Sequence, residues 1–88
     1  MSADTFHLIL ASVGETLFDG AVVSVTFPGA AGEFTVLPHH EALVTTMKAG
    51  SITVRLPAPA GETATEERSF PITGGVVECS GNRAVVLL

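Results

Sequence analysis

Phe27-Pro28-Gly29-Ala30-Ala31-Gly32-Glu33-Phe34-Thr35-Val36-Leu37-Pro38-His39-His40 places two prolines, two glycines, an acid and a histidine pair between segments of β-strand character. Proline presets φ near −65° and glycine accepts the positive φ that a type II turn requires next, so Pro28-Gly29 reads as a turn. Gly32 offers a second unusual backbone position. Glu33 to Leu37 then alternates and is rich in β-formers, and Pro38, which has no N–H to donate, ends that strand. His39-His40-Glu41 are thereby expected on an exposed loop. So much fixed backbone chemistry in one short segment suits a surface built for a partner.

Upstream of this stretch, Ala21, Val23, Val25 and Phe27 alternate with Val22, Ser24 and Thr26, the period of a strand. Asp19-Gly20 is a tight-turn signal. Thr16 to Phe18 reads as a short strand and Val13-Gly14-Glu15 as a turn. The first strand has Phe6, Leu8 and Leu10 alternating with His7, Ile9 and Ala11, both faces being partly apolar. Downstream, Leu43, Val44 and Met47 would suit a helical turn, but the β-branched Val44-Thr45-Thr46 favour a strand from Glu41 to Lys48. Ala49-Gly50 reads as a turn, and Ser51 to Leu56 as a half-buried strand with Ile52, Val54 and Leu56 inward.

Pro57-Ala58-Pro59-Ala60-Gly61, with Glu62-Thr63-Ala64-Thr65, predicts a mobile hairpin tip whose prolines block edge pairing. Arg68 to Thr73 resumes as a strand in which Pro71 implies an edge or a bulge. Gly74-Gly75 reads as a bend, Val76 to Cys79 as a short strand, and Gly81-Asn82 as a turn into Arg83 to Leu88. Many short strands at roughly 8–12-residue spacing predict an all-β sandwich or barrel.

The 88 residues predict one domain, residues 1–88, with a single core. With five Phe and no Trp or Tyr, that core must come mainly from Val, Leu, Ile and Ala. A formal charge of −5 with only four Lys and Arg excludes a basic stripe that neutralises phosphates, so no nucleic-acid partner is expected. The one cysteine, Cys79, can form no intrachain disulfide or Cys-based zinc site, which fits a reducing compartment. No run approaches the ~20 apolar residues of a membrane span, and the N-terminus lacks the basic and apolar regions of a signal peptide.

His39-His40-Glu41 is a poor metal centre, because adjacent histidines on extended chain point apart and no nearby Cys or Asp completes a tetrahedral set. No Gly-x-Ser-x-Gly elbow is present, and Cys79 falls in an apolar strand where inert burial is usual. Gly29 to Gly32 lacks the Gly-Lys-Ser/Thr of a phosphate loop and reads as turn formers. No catalytic residue, metal or cofactor is therefore expected. One alternative remains in Thr46-Met47-Lys48-Ala49-Gly50. A Met-Lys pair at a turn of a small all-β domain is how biotinyl and lipoyl carrier domains present their modified lysine; the plainer alternative is a solvated Lys48 at a hairpin end.

Taken together, the opening stretch, Leu43, Lys48-Ala49-Gly50, Gly74-Gly75-Val76-Val77-Glu78 and Asn82-Arg83-Ala84-Val85-Val86-Leu87 recur in the order of a known family, as do His7-Leu8 and Leu17-Phe18-Asp19-Gly20. The chain resembles, over nearly its whole length, the N-terminal β-sandwich domain of the ε subunit of F-type ATP synthase. That family usually has glycine where Thr35 and His39 stand and an Ala-Pro pair where Glu41-Ala42 stand, and its loop corresponding to Pro57 to Thr65 is shorter.

The resemblance implies a flattened sandwich of two packed sheets with about ten short strands, in a short form without the C-terminal helical domain. It also implies a non-catalytic rotor subunit of the central stalk, which binds γ and the c-ring and helps couple proton translocation to ATP synthesis or hydrolysis. Glu33, Ala31 and Gly32 are then expected against the polar loops of the c-ring, His40 near the ring and γ, and Ser12 near γ. The implied location is peripheral, through the complex, on the cytoplasmic face of an energy-coupling membrane such as the bacterial inner membrane. A β-sandwich adaptor for another partner is a third possibility.

Overall fold

A computed structural model describes residues 4–59, 61, 62 and 64–88. Within the predicted hairpin tip, Ala60 and Thr63 lie outside the described residues. The described residues form seven strands: β1 (Phe6–Ser12), β2 (Glu15–Val22), β3 (Ser24–Gly29), β4 (Gly32–Val36), β5 (Leu43–Arg55), β6 (Glu67–Ser80) and β7 (Arg83–Leu87). Their hydrogen-bonded order is β2-β1-β7-β6-β5-β3-β4. All pairs are antiparallel except β1 with β7, which run parallel from His7↔Arg83 to Ala11↔Leu87.

Seven strands stand where about ten were expected: two glycine-bearing dipeptides continue a strand instead of breaking it, and a third break falls at Val23 instead of Asp19-Gly20. Asp19 and Gly20 remain in β2, paired with Ile9 and Leu8. Ala49-Gly50 lies inside β5 and Gly74-Gly75 inside β6. Gly74 and Gly75 have φ of 149° and 154°, a backbone that side chains other than glycine's rarely adopt. A Cβ on Gly75 would also lie 2.6 Å from the Leu87 carbonyl oxygen. The pair thus lets β6 run on unbroken while its direction changes.

The sheet folds over on itself. Phe18 on β2 and Phe70 on β6 are three strands apart in the order, which would separate them by about 14 Å in a flat sheet with strands ~4.8 Å apart. Their rings instead meet edge-to-face with centroids 6.2 Å apart. The long β5 and β6 serve both layers. β7 pairs only with Val76–Ser80 of β6, whereas β3 pairs chiefly with Thr53–Arg55 at the far end of β5. In the half of β6 around Pro71 only β5 is a neighbour, which is the edge position that a proline needs.

Between the layers lies one core that joins Phe6, Leu8 and Leu10 of β1 to Val25 and Phe27 of β3, Ile52 and Val54 of β5, Val77 and Cys79 of β6, and Ala84 and Val86 of β7. Each fully buried Leu, Ile, Val or Phe contributes about 1.5–3 kcal/mol of hydrophobic stabilisation. The alternation read from Ala21 to Phe27 changes phase once. Val22 is buried and Ala21 exposed, and Val25 and Phe27 are buried beyond a bend at Val23. That single residue carries the chain from β2 to β3, and its N–H donates to the Arg55 carbonyl at 2.9 Å.

Candidate interaction surface

Pro28-Gly29 closes no turn. Both residues belong to β3, pairing with Glu33 and Gly32 of β4. The turn is Ala30-Ala31, with Gly32 taking a φ of 139° just after it. Pro28 acts on the ladder: with no N–H to give, it coincides with a three-residue shift in the β3–β5 register, from Thr26↔Thr53 to Gly29↔Met47. Gly29 acts by its size. A Cβ there would lie 2.6 Å from the Gly32 carbonyl oxygen and 2.9 Å from the Phe34 ring. Behind it, Phe34 leans on Phe27 with ring centroids 5.4 Å apart. The tip is therefore locked by its own hairpin and by one bond to β5, from the Ala30 N–H to the Thr46 carbonyl at 3.0 Å.

Ala31, Gly32 and Glu33 are all exposed on this tip. Ala31 and Gly32 join Gly29, Phe34, Leu43 and Thr45 around an open, mainly apolar hollow of about 210 Å³. Among the described residues, Glu33 takes part in no ion pair; those present are His7–Asp19, Arg55–Glu67 at 2.6 Å and Arg68–Glu66 at 3.8 Å. A carboxylate beside an apolar hollow suits a partner that offers a cation or hydrogen-bond donor next to a small apolar group.

His40 stands three residues before Leu43, in the exposed β4–β5 connection that begins beyond Val36. Its Nδ1 donates to the Glu41 carbonyl at 2.8 Å, and its backbone N–H to the Leu37 carbonyl at 3.2 Å. His39 has a φ of 63°, and its N–H donates to Asn82 Oδ1 at 2.7 Å. The structure thus brings Ala31, Gly32 and Glu33 together at one tip, while His40 lies on a separate loop whose continuation, Leu43, lines the same hollow. Ser12 is remote from His40. It is half-buried at the far end of β1, paired with Glu15, whereas the His39 loop is tied to the turn beside His7 at the strand's beginning. Five residues of strand at ~3.3 Å each put it about 17 Å from His7.

Lys48 is exposed but lies within β5, opposite Gly74, with the strand continuing to Arg55. The carrier-domain alternative required a lysine at a turn, and the uninterrupted β5 removes that turn. Two features escaped the sequence reading. One is Asn82, read only as part of a turn, whose side chain bonds both His39 and the Thr5 carbonyl. The other is an outward apolar patch of Val44, Val76, Val85 and Leu87 around Glu78, enclosing about 160 Å³. Its signal was the unbroken apolar run Ala84 to Leu88, which supplies two apolar faces where the fold buries one.

The family described as "ATP synthase, Delta/Epsilon chain, beta-sandwich domain" matches residues 5–88. The chain is 40% identical over 85 residues to a Nitratiruptor protein named ATP synthase epsilon chain, covering 97% of this chain and 61% of that one. It is 34% identical over 86 residues to the ATP synthase epsilon chain of Chlorobium limicola, covering 98% of this chain and 91% of that one. It spans 56% of the Delftia acidovorans relative, at 32% identity. Several of these relatives are thus much longer than the stretch they share with it.

The fold also superimposes on a chain of the Euglena gracilis mitochondrial ATP synthase OSCP/F1/c-ring structure with a TM-score of 0.81 at 21% identity, over 94% of this chain and 49% of that one. A chain of the Tetrahymena thermophila mitochondrial ATP synthase central stalk/c-ring structure gives 0.74 at 15% identity, over 99% of this chain and 65% of that one. A folded-over sheet on one core, the hairpin tip and the match along almost the whole sequence agree: the chain belongs to the β-sandwich domain family of the ATP synthase delta/epsilon chain.

Proposed function

We propose that this domain is a non-catalytic part of the rotating central stalk of an F-type ATP synthase, holding the γ subunit and resting on the c-ring. The observation that carries this is the 40% identity to an ATP synthase epsilon chain along 97% of the chain. The two structural neighbours come from assemblies named for their F1, central stalk and c-ring parts. The surface agrees in kind. Ala31, Gly32 and Glu33 project at one hairpin tip as the contact to the polar loops of the ring, and His40 lies on the adjoining loop as a contact to γ and the ring. Ser12 makes a separate contact to γ from the far end of β1.

The domain acts by rigidity. Two layers sharing β5 and β6 pass load from one partner to the other through continuous hydrogen-bonded ladders. Among the described residues no helix is long and apolar enough to cross a membrane. Attachment is then peripheral, through the complex, on the cytoplasmic face of the coupling membrane.

Capture of purified γ by the immobilised chain tests this directly: γ is retained, and the chain alone turns over no ATP. Failure to retain γ would overturn the assignment, as would turnover by preparations free of α and β.

A further inference from the structure

We propose that Asn82 is a positioning residue for the partner-binding loop: from the β6–β7 turn it holds the His39-His40 backbone in place, so that engagement of γ through His40 depends on the Asn82 side chain. This rests on the proposed function above. The β6–β7 hairpin closes with Gly81 and Asn82 both at a φ of 58°, between the paired Ser80 and Arg83. Two positive φ values in a two-residue loop define a type I′ turn, whose second position is most easily filled by glycine. Asparagine tolerates that conformation but is not what the turn itself favours. What it adds is an amide.

That amide is used at both ends. Asn82 Oδ1 accepts from the His39 N–H at 2.7 Å, across 43 residues of sequence. Its Nδ2 donates to the Thr5 carbonyl at 2.9 Å, and its own carbonyl accepts from the His7 N–H at 3.2 Å. One side chain therefore joins the β4–β5 loop, the segment entering β1 and the β6–β7 turn. On the loop side it grips a residue that is itself at positive φ, where a non-glycine backbone persists only if its surroundings hold it. The remaining local restraint on His40 is the His40 N–H to Leu37 carbonyl bond and its ring's bond to Glu41. Without Asn82, His39 is free to leave its left-handed conformation and carry His40 with it.

The test uses the full chain with N82G, H40A and the double variant, γ binding being read by calorimetry and the His39 amide by hydrogen exchange. N82G preserves the turn, so the fold is retained. Losing hydrogen bonds of this kind should weaken γ binding about three- to tenfold and speed His39 exchange by a similar factor. In the H40A background N82G should cost nothing further, an outcome that general loosening of the fold would not produce. N82D keeps an oxygen for His39 and should bind nearer to the parent chain; if N82G fails to fold, parental His39 protection in N82D carries the test. N82G binding like the parent, an equal loss in the H40A background, or unprotected His39 in N82D would overturn the proposal. A parent chain that ignores γ but shows the His39 exchange effect would instead overturn the functional assignment and leave the clamp standing.

Discussion

The β3–β4 tip and the β4–β5 loop are both exposed at the surface yet are held by different means. At the tip, the shape comes from neighbours in sequence: Gly29 faces Gly32, and Phe34 folds back against Phe27. In the loop, His39 takes a positive φ and its N–H is anchored 43 residues away on Asn82. A locally built tip should tolerate changes elsewhere and fail on changes within itself. A loop held from a distance should behave the other way round. Both carry exposed residues that we propose as partner contacts, so a lost contact at either site reports on a different part of the molecule.

The largest break in this comparison is expected from Gly29→Val. Its new Cβ would meet the Gly32 carbonyl oxygen at 2.6 Å, so the hairpin must open, at about 2–3 kcal/mol of stability. Urea unfolding measures it. Smaller in stability is the pair Glu33→Gln and His40→Ala. Both side chains are exposed, so each should stay within about 0.5 kcal/mol of the parent in the same unfolding assay. Glu33→Gln should weaken c-ring docking, and His40→Ala binding to γ. A large loss of stability instead would make these residues structural.

The smallest effect concerns Cys79, paired with Leu43 where the loop joins β5. Burial, with the nearby Glu78 charge adding to it, pushes its thiol above the ordinary value. The unfolded thiol ionises first as pH rises, so the contribution is intact below about 8.5 and is lost as pH climbs through the folded value. Cys79→Val should flatten that alkaline fall, as read by denaturant midpoints across pH. An unchanged slope would show that Cys79 is not its source.

The same contrast explains what could be read from the residues alone. Leu8 and Leu10, Ile52 and Val54, and Ala84 and Val86 are buried as strand alternation expects, so the all-β class followed from period alone. Glycine misled wherever it served closeness instead of turning. Gly50 is small because a Cβ would sit 2.9 Å from Pro28 Cβ, yet Ala49-Gly50 has the composition of a turn. The misreadings at Ala49-Gly50 and Gly74-Gly75 each divided one long strand in two. For the site, the turn was read at Pro28-Gly29 and lies at Ala30-Ala31, so Ala31, Gly32 and Glu33 were singled out by the family resemblance and not by turn chemistry; all three are exposed. Asn82 was missed because its role lies in bonds to residues remote in sequence. The separation of Ser12 from His40 likewise depends on which end of β1 meets the β6–β7 turn.

The parallel pairing of β1 with β7 bears on how the chain comes into being. β7, seventh in sequence among the described strands, takes a central place in the sheet, between β1 and β6, and not an edge. Until it emerges, β1 and β2 form a hairpin with no hydrogen-bonded strand to connect them to the remainder. Such distant pairing favours slow, late folding. On a ribosome the sandwich would stay open until Arg83 to Leu87 are clear of the exit tunnel, and nascent chains arrested before them should remain sensitive to protease.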